Sequence, residues 1–135
     1  MTHSSAGGTA TSTAAAGLTR ALSVVATLSV LMIVLQGVTA GQILSRNRGA
    51  EALHFSGAIV VHVLTGLTAV VAILVARRDR DARWPAGLAV VVFIVGFIQA
   101  AVGEAGLLAV HVPLAMLLVI GAATVMVWSL RWIRA

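Results

Sequence analysis

The chain has 135 residues, 60% of them hydrophobic and only 10% charged, with a mean hydropathy of +1.07. A soluble domain of this size needs a charged coat to stay dispersed; here the charges fall in a few short places, which excludes an ordinary water-soluble fold and describes lipid-facing sequence. The net charge of +5 rests on nine basic residues, all arginine, that flank apolar runs without interleaved aromatics, so they read as anchors at phospholipid headgroups and not as a nucleic-acid surface.

Residues 1–19 are rich in Ser, Thr, Ala and Gly without an apolar period and are expected to form a disordered cytoplasmic tail, in which His3 carries no function. Arg20 opens the membrane domain, residues 20–135. Residues 21–45 hold no charge, and at ~1.5 Å per residue such a run crosses a ~30 Å hydrocarbon core. Val38-Thr39-Ala40 resembles a signal-peptide cleavage site, but the long polar lead and the weak basic region before the apolar run argue against removal. After Ser45-Arg46-Asn47-Arg48-Gly49, a second span covers about residues 52–76 and ends in the densest charge cluster, Arg77-Arg78-Asp79-Arg80-Asp81-Ala82-Arg83. Trp84-Pro85 opens a third span, about 84–102, since Pro is tolerated in the first turn of a helix. Gly103-Glu104-Ala105-Gly106 turns the chain into a fourth, about 107–130, followed by Arg131, Trp132 and Arg134. Short loops force antiparallel neighbours, so the expected fold is all-α: a transmembrane up-down-up-down four-helix bundle.

Arginine counting orients it. The tail, the 77–83 loop and the C-terminus share seven arginines, against Arg46 and Arg48 on the other side. The positive-inside rule then predicts a multi-pass protein of the cell membrane with both termini cytoplasmic, and Trp84, Trp128 and Trp132 fall at that same interface. A faint repeat relates Leu35-Gln36-Gly37-Val38-Thr39-Ala40-Gly41 to Ile98-Gln99-Ala100-Ala101-Val102-Gly103-Glu104, each followed by a hairpin that leads to a histidine, as in parallel repeats about an axis along the membrane normal.

His54, His62 and His111 are the residues with chemistry to offer. An ionisable group inside a span is costly and faces the bundle interior. His54 and His111 are expected at similar depth near the outer leaflet; His62 lies eight residues after His54, ~12 Å deeper and about 80° around the helix. With no cysteine in the chain, disulfides, thiolate metal sites, iron–sulfur clusters and covalent haem attachment are excluded, while haem held by histidine stays open. A single haem iron needs one imidazole from each of two facing helices at matched depth. His54 with His111 meets that condition best, and His62 with His111 remains if the fourth helix is set deeper. Glu51 and Glu104 are possible orienting acids beside the histidines or plain solvated loop acids. Gln36 and Gln99, the amides well inside spans, can bond each other, a histidine or a cofactor, or act as interhelical glue. Gly37, Gly41, Gly57, Gly66, Gly96 and Gly103 permit close helix approach or leave room for a flat macrocycle. Pro113 removes one backbone hydrogen bond beside His111, and Thr65 and Thr68 can satisfy their hydroxyls on their own backbone.

The residues also resemble a family. Glu51-Ala52-Leu53-His54 resembles the Glu-x-x-His motif of haem A synthases, and Gln99, Gly103 and His111 are similar to the corresponding helical hairpin. Those enzymes look like two fused four-helix bundles, each with haem-ligating histidines on its second and fourth helices, and this chain matches one bundle over roughly residues 21–130. It also looks like small four-helix membrane proteins in which a second histidine follows the first by about eight residues, as His62 does. The resemblance implies haem b ligated by His54 and His111. Phe55 stands where the synthases carry Arg after the motif histidine, and their cysteine pair is missing, so catalysis is left open.

Three readings follow: a cytochrome b-like haem protein handling haem or passing electrons within the membrane, alone, as a homo-oligomer or with a membrane redox partner in a larger complex; a non-catalytic membrane subunit or scaffold whose histidines only join helices; and a small transporter component. The last is disfavoured because no span holds Asp or Lys. The expected surroundings are the lipid bilayer, and nucleic acid is not an expected partner.

Overall fold

The computed structural model of the chain describes the backbone of residues 6–132 and the side chains of residues 16–132. It is all-helical over these residues: α1 spans Ala6–Leu44, α2 Ala50–Ala76, α3 Arg83–Glu104 and α4 Leu108–Trp132, with a short 3-10 turn at Arg80–Ala82. All four helices are long and apolar enough to cross a membrane, which makes this a multi-pass membrane protein.

The ends of α2, α3 and α4 fall within two residues of those expected from the apolar runs. The start of α1 does not. It begins at Ala6, so residues 6–19, expected as disordered tail, belong to the helix. Alanine is the best helix former, and Ala14-Ala15-Ala16 leads into an apolar helix that is already nucleated, so propagation outward costs little. His3 lies outside the described residues.

The helices pack in a closed ring, α1 on α2, α2 on α3, α3 on α4 and α4 on α1. In each pair, residue numbers rise along one helix as they fall along the other. Ser29 meets Thr68 while Thr39 meets His54. His62 lies against Gly96 and Phe93 against Gly66. Val92 lies against Gly121, and Gln99 bonds His111. Val30 and Ile33 pack with Leu118 and Ala122, and Leu22 and Ala26 share a cluster with Val125. Neighbours are therefore antiparallel.

Packing is inverted relative to a soluble bundle. Small residues dominate the interior, Ala26, Ala69, Ala72, Ala89 and Ala122 with Gly57, Gly96, Gly121, Ser29 and Thr68, around a few larger ones, Leu22, Val75, Val92, Leu118 and Val125. Large side chains such as Leu31, Ile59, Val70, Ile94 and Leu117 are exposed. Lipid tails are as apolar as leucine, so there is no hydrophobic drive to bury it; small residues at the seams let backbones approach and gain dispersion contacts. Near the middle of the bundle Ser29 Oγ and Thr68 Oγ1 lie 3.0 Å apart, and each is also within hydrogen-bond distance of a carbonyl of its own helix, Val25 or Leu64, so one hydroxyl donates to its carbonyl while accepting from the other. The cavity beside them measures about 10 Å³, the size of one water.

Two alike turns close the helical hairpins at the opposite end from the arginine-rich loop. After α3, Leu107 N–H donates to Val102 O and Gly106 N–H to Gly103 O, with Gly106 at φ +72°. After α1, Asn47 N–H donates to Gln42 O and Arg46 N–H to Ile43 O, with Arg46 at φ +65°. Both are Schellman closures, and Arg46 adopts the left-handed conformation without glycine's freedom, at a cost of about 1 kcal/mol. Each turn delivers a histidine-bearing helix start to this end.

The inverted packing has a direct test. Ala72→Leu, at a buried seam, should destabilise the purified protein by about 1–3 kcal/mol through overpacking, whereas Leu67→Ala on the exposed face should stay within about 0.5 kcal/mol of wild type. Denaturation in mixed micelles followed by circular dichroism measures both; the reverse ranking would contradict the fold.

Candidate functional site

His54 lies in the second turn of α2 and His111 in the first turn of α4. These helices are diagonal in the ring, so the two imidazoles meet across the end of the bundle, ring centres 6.4 Å apart and planes inclined by 60°. This is the level match expected from the sequence.

The two rings are held differently. His54 Nδ1 lies 2.8 Å from Thr39 Oγ1, and the Thr39 hydroxyl donates to the Gln36 carbonyl at 3.0 Å. With the hydroxyl proton used there, Nδ1–H donates to Thr39, and the lone pair of His54 resides on Nε2. At His111, Nδ1–H donates to the Gln99 carbonyl at 2.9 Å, and the Gln99 side-chain amide donates to Nε2 at 3.1 Å. One residue of α3 thus satisfies both nitrogens. Gly103 makes this possible: a Cβ there would stand 2.5 Å from the His111 ring.

His62 does not join them. Its Nδ1–H donates to Ala58 O at 2.7 Å, its ring packs on Phe97 at 4.4 Å, and its Nε2 points toward Gly96 of α3. That Nε2 is buried without a hydrogen-bond partner. Gln36 Nε2 is likewise buried and unpartnered, pressed against Gly57 so closely that a Cβ would collide with it. Buried polar groups are nearly always satisfied, so two orphans in the histidine-bearing half of the bundle are positions where a ligand or water gains a bond.

Other residues singled out in the sequence fall outside the cluster. Glu51 and Glu104 are exposed and form no ion pair; Glu51 complements the dipole at the start of α2. Gly37 and Gly41 face open space and contribute no close approach, unlike Gly57, Gly66, Gly96 and Gly103. Pro113 lies within α4 and is exposed. Thr39 carries no ligand chemistry of its own in the sequence; the only signal for it is its place in the repeated segment, three residues after Gln36. Among the described residues no group of three or more His, Cys, Asp or Glu side chains converges, so protein groups alone do not assemble a complete metal shell.

The glycines divide into two testable classes. Gly103→Ala and Gly57→Ala should each lower stability by about 1–3 kcal/mol, the first by displacing His111 from Gln99. Gly37→Ala and Gly41→Ala should be neutral or raise stability by up to about 1 kcal/mol through helix propensity. Thermal melts of the four variants in one detergent read the split.

Comparison with protein-family models, with curated proteins and with solved structures finds no match to this chain.

Proposed function

We propose that this chain is a membrane b-type haem protein, in which His54 and His111 near the outer leaflet would hold the haem iron, serving electron transfer within the membrane or haem handling. The observation that carries the reading is the 6.4 Å separation of the two rings at one end of the bundle. Two imidazoles bound to one metal at ~2 Å each have ring centres about 6 Å apart. The Nδ1 hydrogen bonds to Thr39 and to the Gln99 carbonyl are the usual outer-shell support of a ligating imidazole, fixing the tautomer that leaves Nε2 for metal.

One further feature favours haem over a bare ion. Among the described residues, this end of the bundle brings two histidines together without a third His, Cys, Asp or Glu, which suits a metal that brings further donors of its own. The mid-bundle cavity of about 10 Å³ admits no macrocycle, so the group would seat at the histidine end. When bound, it would supply a one-electron couple, and two protein histidines on one iron would favour electron transfer over oxygen chemistry. The protein's part is orientation: Thr39 and the Gln99 carbonyl aim the rings, and the Gln99 amide must yield His111 Nε2 for ligation.

The doubly satisfied His111 favours a second reading, in which the histidines join helices in a non-catalytic membrane scaffold. Absorbance of the purified chain separates the two. A Soret band lost in His54→Ala and in His111→Ala supports haem; loss only in His62→Ala and His111→Ala moves the pair deeper; a colourless, stably folded protein from haem-replete cells refutes it. Gln99→Leu removes the competing amide and should tighten haem binding about fivefold. On the scaffold reading it should only destabilise.

The orientation in the cell membrane, with both termini cytoplasmic, is supported by charge. By sequence, seven arginines and two aspartates lie at the end bearing the α2–α3 loop, against two arginines and two glutamates at the other, so the entire +5 lies at one end. The chain has no native cysteine, which makes labelling clean. Ser45→Cys should react with an impermeant maleimide in intact cells and Asp81→Cys only after permeabilisation; the opposite pattern would invert the topology.

A further inference from the structure

The arginine-bearing end holds a feature that the histidine site does not use. A crevice of about 220 Å³ opens between the start of the α1 span, the end of α2 and the end of α4, lined by Leu18, Thr19, Val75, Arg78, Asp79 and Trp132. We propose that it binds the headgroup phosphate of an anionic phospholipid from the adjoining leaflet.

Depth is the first argument. Trp132 stacks on Trp128 with ring centres 5.0 Å apart and planes 23° from parallel, and Trp84 meets Trp128 edge-on at 6.4 Å. Indoles gather at headgroup level, so these three place the crevice mouth at that level whichever way the chain faces. Charge is the second. Arg78 is exposed and makes no ion pair. No ion pair joins it to its neighbour Asp79, whose carboxylate accepts the Asp81 N–H at 2.9 Å and caps the 3-10 turn. A guanidinium left with all its donors matches a phosphate in two-pronged geometry.

The lining supplies the third argument. Leu18, Val75 and the Trp132 indole form an apolar wall beside Arg78, suited to glycerol and the first acyl carbons below a phosphate, and unsuited to a free hydrated anion. Arg77, Arg80, Arg83 and Arg131 are exposed at the same end, so a headgroup that carries its own ammonium is repelled where phosphatidylglycerol is not. Basic pockets between transmembrane helices select anionic lipids in this way. The proposal rests on the membrane fold and is independent of haem.

Native mass spectrometry of the full chain in detergent, titrated with phosphatidylglycerol, tests it. Wild type should retain one phosphatidylglycerol. Arg78→Gln should weaken that adduct about fivefold, while Arg77→Gln, which removes the same charge one residue outside the lining, should change it by less than about twofold. Equal weakening by the two variants would overturn the site in favour of diffuse attraction. Equal retention of phosphatidylcholine would overturn the anionic selectivity, and displacement by inorganic phosphate would show a free-anion site instead. Arg78 is exposed, so circular dichroism of Arg78→Gln should match wild type.

Discussion

Close helix approach through small side chains is the constraint on which the rest of this structure depends. In hydrocarbon, burying leucine gains little over leaving it in lipid, so the seams are built largely from Ala, Gly, Ser and Thr, and the helices come near enough to leave a mid-bundle space no larger than one water. The hydroxyls there are absorbed by their own helices and by the Ser29–Thr68 pair. With the centre closed, polar side chains that need a partner beyond their own turn collect at an end, where helix starts and loops loosen the packing.

The histidine end follows from that. Gly103 and Gly57 are the places where the seam is tightest against a polar side chain, His111 in one case and Gln36 in the other. The two imidazoles that meet there are unequal: His54 keeps a nitrogen free, and His111 is fastened twice to Gln99. That inequality makes Gln99 the residue that divides a haem reading from a scaffold reading, because its amide and an iron would compete for the same atom. The repeat between the two hairpins is real in the backbone, where both end in the same Schellman closure. It is broken in the side chains: Gln99 reaches its histidine directly, whereas Gln36 acts through its carbonyl and Thr39.

The molecule is therefore polar along its axis in two senses. One end gathers imidazoles and amides with no net charge from its arginines and glutamates; the other gathers the entire net charge and all three tryptophans. The arginine-rich end also leaves a guanidinium beside an apolar crevice, so on the proposed readings orientation and lipid selection share one set of side chains.

Run length alone determined the four spans, since about twenty consecutive uncharged, predominantly apolar residues have few alternatives to a membrane helix. Depth arithmetic on those spans was enough to match His54 with His111, because helical rise is constant. What the sequence left undecided was which face of each helix looks inward. In water, polar residues mark the outer face; in lipid both faces are apolar, and the periodicity that would orient a helix disappears. For that reason only the tertiary structure decided that His62 turns toward Phe97 of α3, that Thr39 serves His54, that Gly103 exists for His111, and that Gly37 and Gly41 serve no contact. The start of α1 at Ala6 was hidden for a different reason: a Ser/Thr/Ala segment has no strong preference of its own and takes helix from the span it adjoins.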